Sequence, residues 1–354
     1  MEHSPRRLVP RGRRDREPTM YHGPSGTAAS DTPSQSTLTY ALRAATEAAA
    51  LAACAWLREG DRPGAARASA EAMRRALGAL GVNGTIIVGD EADVPGPVLP
   101  RGLVLGQDNA PNAFDIAVDT VEGTSYLAES GLNNAMSVLA LAPSGSLFRP
   151  GPAFYMEKLA VPPAARRCID PAAPVTERLR CVAEALNKPM HDLVVYVQEK
   201  PRHRRLVEEI QASGARVAQH AAGDVAGALM AAIPGSGIDA MMGTGGTPEG
   251  IITACAIKAL GGSFHARINP QLNTERTAVA AAGLDTTRWM SLDDMVSAPP
   301  ESLHVCATGI ADGLLLNGPA ETPEGLCLQT LLLGGGLPGR QVLTSWAGHG
   351  GGSR

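Results

Sequence analysis

Hydrophobic and polar positions along the chain follow two periods, and the switches between them mark out the elements. From Thr39 to Leu57 the stretch TYALRAATEAAALAACAWL sets apolar residues at helical spacing among strong helix formers, which predicts a first helix. Gly60-Asp61-Arg62-Pro63-Gly64 breaks that pattern, and a second helix is expected through about Leu80. Gly84-Thr85-Ile86-Ile87-Val88-Gly89 then reads as a short apolar strand ended by the acidic turn Asp90-Glu91-Ala92-Asp93. Phe114 to Asp119 and Met136 to Leu141 read as two further strands, with a turn and a helix or long connection between them.

In the middle of the chain the strand Leu193 to Val197, a helix near 203–213, the strand Ala215 to Ala218 and a helix near 223–232 give βαβα alternation, the signature of an α/β fold. Asp239 to Gly243 is expected to be a strand running into a Gly-rich turn, Pro248 to Leu260 a helix, and Leu331 onward the closing strands. No internal repeat is found. Residues 1–37 show no apolar period and are rich in Arg, Pro, Ser, Thr and Gly, so a disordered arm is expected there. Within it Leu8-Val9-Pro10-Arg11-Gly12 resembles a protease-cleavage linker, and Met20 offers another start site. Residues 347–354 are expected to be a flexible tail, which leaves 38–346 as the folded part, read as two fused α/β lobes meeting near residue 185.

Composition narrows the function classes. Aromatics are only 3% of the 354 residues against 44% apolar, so Ala, Val, Leu and Gly must build the core. A formal net charge of −4 gives no general basic surface for a nucleic-acid backbone, and no nucleic-acid partner is expected. Cys54, Cys168, Cys181, Cys255, Cys306 and Cys327 are scattered without a CxxC pair or zinc spacing, and are expected to be reduced, mostly buried thiols. No apolar run approaches the roughly 18 residues a membrane span requires, and the start lacks a secretory apolar core. The cytoplasm is the expected compartment, with no membrane partner; a homo-oligomer is compatible with the sequence but not fixed by it.

Candidate chemistry begins at Asp119-Thr120-Val121-Glu122-Gly123-Thr124. An apolar strand delivers one carboxylate at its end and a second three residues later, in a turn that Gly123 makes permissive. Paired carboxylates are hard oxygen ligands suited to Mg2+ or Mn2+, ions that orient a phosphate and activate water. Thr124 adds a hydroxyl and a backbone N–H at the following turn or helix start. Taken alone, the hexapeptide reads equally well as a polar loop. At Gly243-Thr244-Gly245-Gly246-Thr247-Pro248-Glu249-Gly250 a second strand ends in glycines, and Pro248 suits the start of a helix, so Glu249 lies beside free N–H groups. A plain Gly-rich connection with Glu249 complementing the helix dipole is the alternative there. Asp90 offers a further ligand at its strand end, although by itself it reads as a solvated turn residue.

Seven segments, TEAAALAACAWL, NGTIIVGDE, FDIAVDTVEGT, FYMEKL, KPRH, GTGGTPEG and CATGIADG, stand in one order between about Leu38 and about Leu333. Together they resemble the class II fructose-1,6-bisphosphatases, within the lithium-sensitive, metal-dependent phosphatase superfamily. The resemblance implies a layered α/β/α/β/α sandwich over 38–346 and hydrolysis of a phosphate monoester, with fructose-1,6-bisphosphate as default substrate and Mn2+ or Mg2+ as cofactor. It implies metal ligation by Asp90, Asp119, Glu122 and Glu249, with Asp119, Glu122 and Thr124 at the reaction centre. Substrate contacts are implied for Glu122, Gly123, Thr124, Tyr155, Lys200, Arg202, His203, Arg204, Gly223, Asp224 and Gly246. Without the resemblance, Arg202 and His203 read as an ordinary surface pair.

Departures from the family pattern fall on the same site. A family aspartate in the turn after the first helix, a metal or water-activating group, aligns with Ala66, which can do neither. Asp90 stands where the family has a glutamate, with Glu91 next to it; Arg204 replaces a usual aspartate, and Ala222 the first aspartate of a DGD. The stretch after Phe264 is shortened. These changes imply altered sugar specificity or weakened hydrolysis, and the alternative they support is a sugar-phosphate-binding homologue without full activity, or a phosphatase for another sugar phosphate such as sedoheptulose-1,7-bisphosphate or one of specialised metabolism. Gly334-Gly335-Gly336-Leu337-Pro338-Gly339 fits GxGxxG, but Pro338 and the apolar residues beyond it argue against the helix a dinucleotide site needs.

Overall fold

Helices and strands form close to where the two periods put them, with bounds moved by packing. The computed structural model describes residues 35–57, 61–90, 96–106, 113–123 and 134–348, all within the unit Ser34–Arg354. The expected arm up to residue 34, with Leu8 to Gly12 and Met20, lies outside the described residues, as do Glu91 and the tail from 349.

In chain order the helices are α1 (Gln35–Leu57), α2 (Arg62–Ala79), α3 (Val175–Leu186), α4 (Arg204–Ala212), α5 (Asp224–Ala232), α6 (Thr247–Leu260), α7 (Asn273–Ala281) and α8 (Leu292–Met295). The strands are β1 (Gly84–Val88), β2 (Val104–Leu105), β3 (Phe114–Glu122), β4 (Met136–Pro143), β5 (Tyr155–Val161), β6 (Val194–Gln198), β7 (Arg216–His220), β8 (Ala240–Gly246), β9 (Ser263–Ile268), β10 (His304–Gly309), β11 (Ala320–Thr322), β12 (Gly325–Gly334) and β13 (Gln341–Ala347). Helix α1 starts ahead of the expected Thr39. Helix α2 is opened by Asp61, whose side chain accepts from Gly64 N–H at 2.9 Å, with Pro63 in the first turn.

An eight-stranded sheet runs β2-β1-β3-β4-β10-β12, with β11 and β13 also paired to β12, and a five-stranded sheet runs β7-β6-β8-β5-β9. The chain changes sheet between β4 and β5 and returns at β10. Residue 185, near which two lobes are expected to meet, lies inside α3, and the first sheet takes strands from both sides of the second in the chain. The 334–339 glycine run connects the antiparallel strands β12 and β13, so no dinucleotide-binding helix follows it.

Alternation along the strands assigns the layers. Ile116, Leu139, Leu141 and Leu332 pack with Leu42, Ala45, Ala49, Met73 and Leu77 of α1 and α2. On the opposite face Ala117, Val138, Ala140 and Leu331 meet Ile251, Ile252 and Cys255 of α6, in one cluster that also takes in α5 and Met156, Tyr196, Met241 and Phe264 of the second sheet. Leu159, Val161, Val195, Val197 and Met242 face outward onto Leu179 and Val182 of α3 and Ile210 of α4. The result is the expected α/β/α/β/α sandwich, with α5 and α6 as its middle layer. A helix held between two sheets has no solvent face, and all residues of α5 are buried. Small side chains permit that approach: a methyl on Gly227 would stand 2.4 Å from the Tyr196 ring.

One expectation about the cysteines is corrected. Cys168 and Cys181 form a disulfide, with Cα atoms 6.0 Å apart, while Cys255 and Cys306 are buried thiols and Cys54 and Cys327 half-buried ones. Folding brings together two residues on the outer helical layer whose spacing carried no motif.

Candidate active site

Several strand and helix ends converge on a cavity of about 410 Å³. Strand β3 reaches it through Asp119 and Glu122, which strict alternation would send to opposite faces. Between them the pairing slips, Asp119 facing Val138 and Glu122 facing Met136, so one extra residue on β3 forms a bulge and both carboxylates line the cavity. The expected turn is therefore later than read: Glu122 still belongs to the strand, and Gly123 makes the turn at φ +89°. Strand β8 likewise runs through the glycines to Gly246, because β5 pairs with it from Tyr155↔Gly246 to Ala160↔Met241.

The N-terminal ends of α5 and α6 meet the same space. Gly223, at φ +95°, caps α5, Gly246 caps α6, and both line the cavity with Asp224 and Glu249. Free N–H groups and positive dipole ends favour an anion there. Tyr155 lies at the start of β5, the Arg202 guanidinium stands 5.4 Å from its ring centroid, and Gln198 and Lys200 complete that side.

The glycines are spacers as well as turns. A methyl on Gly246 would lie 1.9 Å from Glu249 Oε2, and one on Gly245 would lie 2.2 Å from Asp224 Oδ2. Asp224 N–H donates to Glu122 Oε1 at 2.8 Å, and the Lys158 ammonium donates to Asp224 Oδ2. Burial, then Asp119, Asp224 and Glu249 close by, hold the Glu122 carboxyl well above the usual carboxylate range. Burial also raises the Glu249 carboxyl, with the Lys158 ammonium opposing and Asp224 adding to the rise.

Not every expected residue joins the cavity. Asp90 lines a neighbouring one, walled off by Phe154 and Pro248, and its Oδ2 accepts from Val98 N–H and Leu99 N–H, each at 2.7 Å. His203 is buried, with Nδ1–H donating to Gln198 O at 2.7 Å and Nε2 accepting from Thr244 N–H at 2.8 Å. Its ring, held below its ordinary pKa by burial, ties β6 to β8 through both nitrogens. Arg204 is exposed and lines a separate groove shared with Lys200. Ala66 lies half-buried on α2, and Thr124 is outside the described residues.

Two residues that sequence reasoning missed shape the site from behind. Lys158 is buried in β5, and Tyr196 donates its hydroxyl to Ala222 O at 2.7 Å and Gly223 O at 2.9 Å, steadying the loop before α5. A lysine in step with Met156 and Ala160, at an inward position of an alternating strand, was the available signal for the first.

A divalent cation fits this donor set. The donors are all carboxylate oxygens, and Glu122 Oε2 and Glu249 Oε2 are buried without a hydrogen-bond partner. Among the described residues no three His, Cys, Asp or Glu side chains surround a single point. Mg2+ and Mn2+ commonly take one or two carboxylates and complete their shell with substrate phosphate and water, which suits such a pair.

Alternating layers, carboxylates on a bulged strand end and two helix N-termini facing one cavity define a metal-dependent phosphomonoesterase built as an α/β sandwich. The family model described as bacterial fructose-1,6-bisphosphatase, glpX-encoded, matches residues 36–340, and the chain belongs to that family. It is similar to fructose-1,6-bisphosphatase 1 class 2 of Escherichia coli (strain K12), 37% identical over a 303-residue alignment that covers 82% of this chain and 89% of that protein. Fructose-1,6-bisphosphatase class 2 of Escherichia coli O6:H1 and of Shigella flexneri match to the same extent.

Proposed function

We propose that the chain hydrolyses a phosphate monoester of a sugar bisphosphate in the cytoplasm, with fructose-1,6-bisphosphate as default substrate and Mn2+ or Mg2+ as cofactor. The observation that carries this is the pair of buried, unpartnered carboxylate oxygens on Glu122 and Glu249 beside two helix N-termini. Negative donors next to an anion-attracting surface call for a cation and a phosphate together. When bound, the divalent ion supplies Lewis-acid charge to the phosphoryl oxygens and a strong nucleophile from water near neutral pH.

Glu122 and Glu249 would hold that ion, with Asp119 beside them. Thr124 directly follows the Gly123 turn and is assigned to the reaction centre. Backbone N–H groups at the starts of α5 and α6 face the phosphate, and Arg202 and Lys200 offset its charge from the opposite side. Gly223, Asp224 and Gly246 bound the sugar, and Tyr155, fixed beneath Arg202, closes that wall.

A second reading is a sugar-phosphate-binding homologue with little hydrolysis. What favours it is Ala66, a half-buried helix residue without a carboxylate, together with the commitment of Asp90 Oδ2 to backbone N–H groups. Phosphate release from a panel of sugar mono- and bisphosphates, with Mn2+ or Mg2+ and after metal removal, separates the two. Metal-dependent release lost in Glu122→Gln and Glu249→Gln is the outcome expected of the phosphatase; sugar-phosphate binding with no release at any metal concentration would overturn it. Ala66→Asp should raise the rate if the missing carboxylate limits turnover.

A further inference from the structure

Lys158 is only 1% exposed, on a strand whose other buried residues, Met156, Leu159, Ala160 and Val161, are all apolar. Its ammonium bonds Asp224 Oδ2, and the Asp224 side chain is itself only 5% exposed. Such a pair loses the hydration of both charges, and an apolar pair of similar volume would serve stability as well or better. Stability therefore does not explain it. Position does: Asp224 opens α5, and its N–H donates to Glu122 Oε1 at 2.8 Å. Room for the pair is built into two other elements, since a methyl on Gly245 would meet Lys158 Nζ at 3.2 Å and one on Gly250 would meet Lys158 Cε at 3.2 Å.

We propose that Lys158 is a positioning residue for the phosphatase: a fixed internal counter-charge that holds Asp224, through it seats Glu122, and limits how tightly the carboxylates take up a divalent cation. This rests on the function proposed above. Asp119, Glu122, Asp224 and Glu249 carry more negative charge than a site meant to admit an anionic substrate can leave unbalanced. Lys158 neutralises the one of them that is closest to the α5 N-terminus, so that Asp224 stays an orienting group and does not become a further metal ligand.

Manganese chloride alone, titrated calorimetrically into metal-stripped protein, tests this without turnover. Lys158→Met frees the Asp224 carboxylate, and Mn2+ should then bind roughly tenfold more tightly, as one added nearby charge would give. In the same variant kcat should fall roughly 10–100-fold, as for a lost supporting contact, with KM for the sugar phosphate raised. The charge-neutral double variant Lys158→Met/Asp224→Asn should return Mn2+ affinity to near the wild-type value. Unchanged or weaker Mn2+ binding in Lys158→Met, with lower thermal stability, would overturn the proposal and leave Lys158 a packing residue. If Lys158→Met does not fold, the double variant decides: wild-type-like Mn2+ uptake supports the proposal and lost uptake overturns it. Wild-type protein that binds Mn2+ but releases no phosphate counts against the function alone, and the calorimetric comparison still stands.

Discussion

Two buried glutamates stand close to Phe154 and Tyr155, and the chain uses them in opposite ways. Glu275, on α7, accepts from Phe154 N–H at 2.6 Å and Tyr155 N–H at 2.7 Å through one oxygen, and from Gln271 N–H at 2.9 Å through the other. Glu122, on β3, is equally buried but accepts one backbone N–H and leaves Oε2 with no partner among like charges. One carboxylate is spent on fixing the chain where β5 begins. The other is held in a state that costs folding free energy and is stabilised only when a cation arrives. Burial alone does not separate structural from functional acids; the number of oxygens left unengaged does.

The sharpest way to break that contrast is to remove each charge with an isosteric amide. Glu122→Gln should lower phosphate release by roughly 10²–10⁴-fold, yet raise the melting temperature of the metal-free protein, because a desolvated charge among Asp119, Asp224 and Glu249 is gone. Thermal melts beside a phosphate-release assay read both effects, and a fall in both would mean that Glu122 is structural after all. Gly246→Ala comes next. The added methyl would stand 1.9 Å from Glu249 Oε2, so the carboxylate must leave its place, and activity should drop by roughly 10–100-fold while the melt changes little. Retained activity would mean that Glu249 works from another rotamer.

Glu275→Gln should do the reverse of Glu122→Gln. An amide keeps one acceptor and turns an NH2 group toward a backbone N–H, which should cost about 1–3 kcal/mol in denaturant unfolding. Activity at saturating substrate should be affected less than stability.

Much of this was legible in the sequence because local chemistry and fold agree there. The strand at 114–119, the helix after Pro248 and the carboxylates Asp119, Glu122 and Glu249 all fall where apolar runs end. What could not be read is what depends on pairing partners. The β3 bulge that turns Asp119 and Glu122 to one face requires β4 beside it, and the extension of β8 through its glycines requires β5. His203 reads as a surface cation beside Arg202 until the backbone of β6 and β8 closes on both its nitrogens. Lys158 stands inside the FYMEKL segment with nothing there to show its role, and only the approach of Asp224 and the absent side chains of Gly245 and Gly250 give it a place.

His304 extends the contrast to a group that does not line the cavity and gives the smallest effect. It is buried at the start of β10, edge-on to Phe114 with ring centroids 6.0 Å apart, and its Nδ1 lies 2.8 Å from Thr39 Oγ1, which itself donates to Gln35 O. With the Thr39 hydroxyl donating to Gln35 O, Nδ1–H donates to Thr39 Oγ1 in either charge state of the ring; it is burial that favours the neutral form, lowering its pKa from 6.5 to about 4. The unfolded chain thus takes up the proton first on acidification. Stability from the neutral ring is complete above pH 6.5, declines as pH falls towards 4, and changes no further below it. By pH 5.5 the loss from this group should be about 1 kcal/mol. Denaturant melts between pH 7 and 5 should show that slope in wild type and a shallower one in His304→Phe, with kcat in the two proteins alike at neutral pH. An equal slope in the variant would assign the acid sensitivity to other groups, whereas a lost kcat would mean that the α1–β10 contact reaches the cavity.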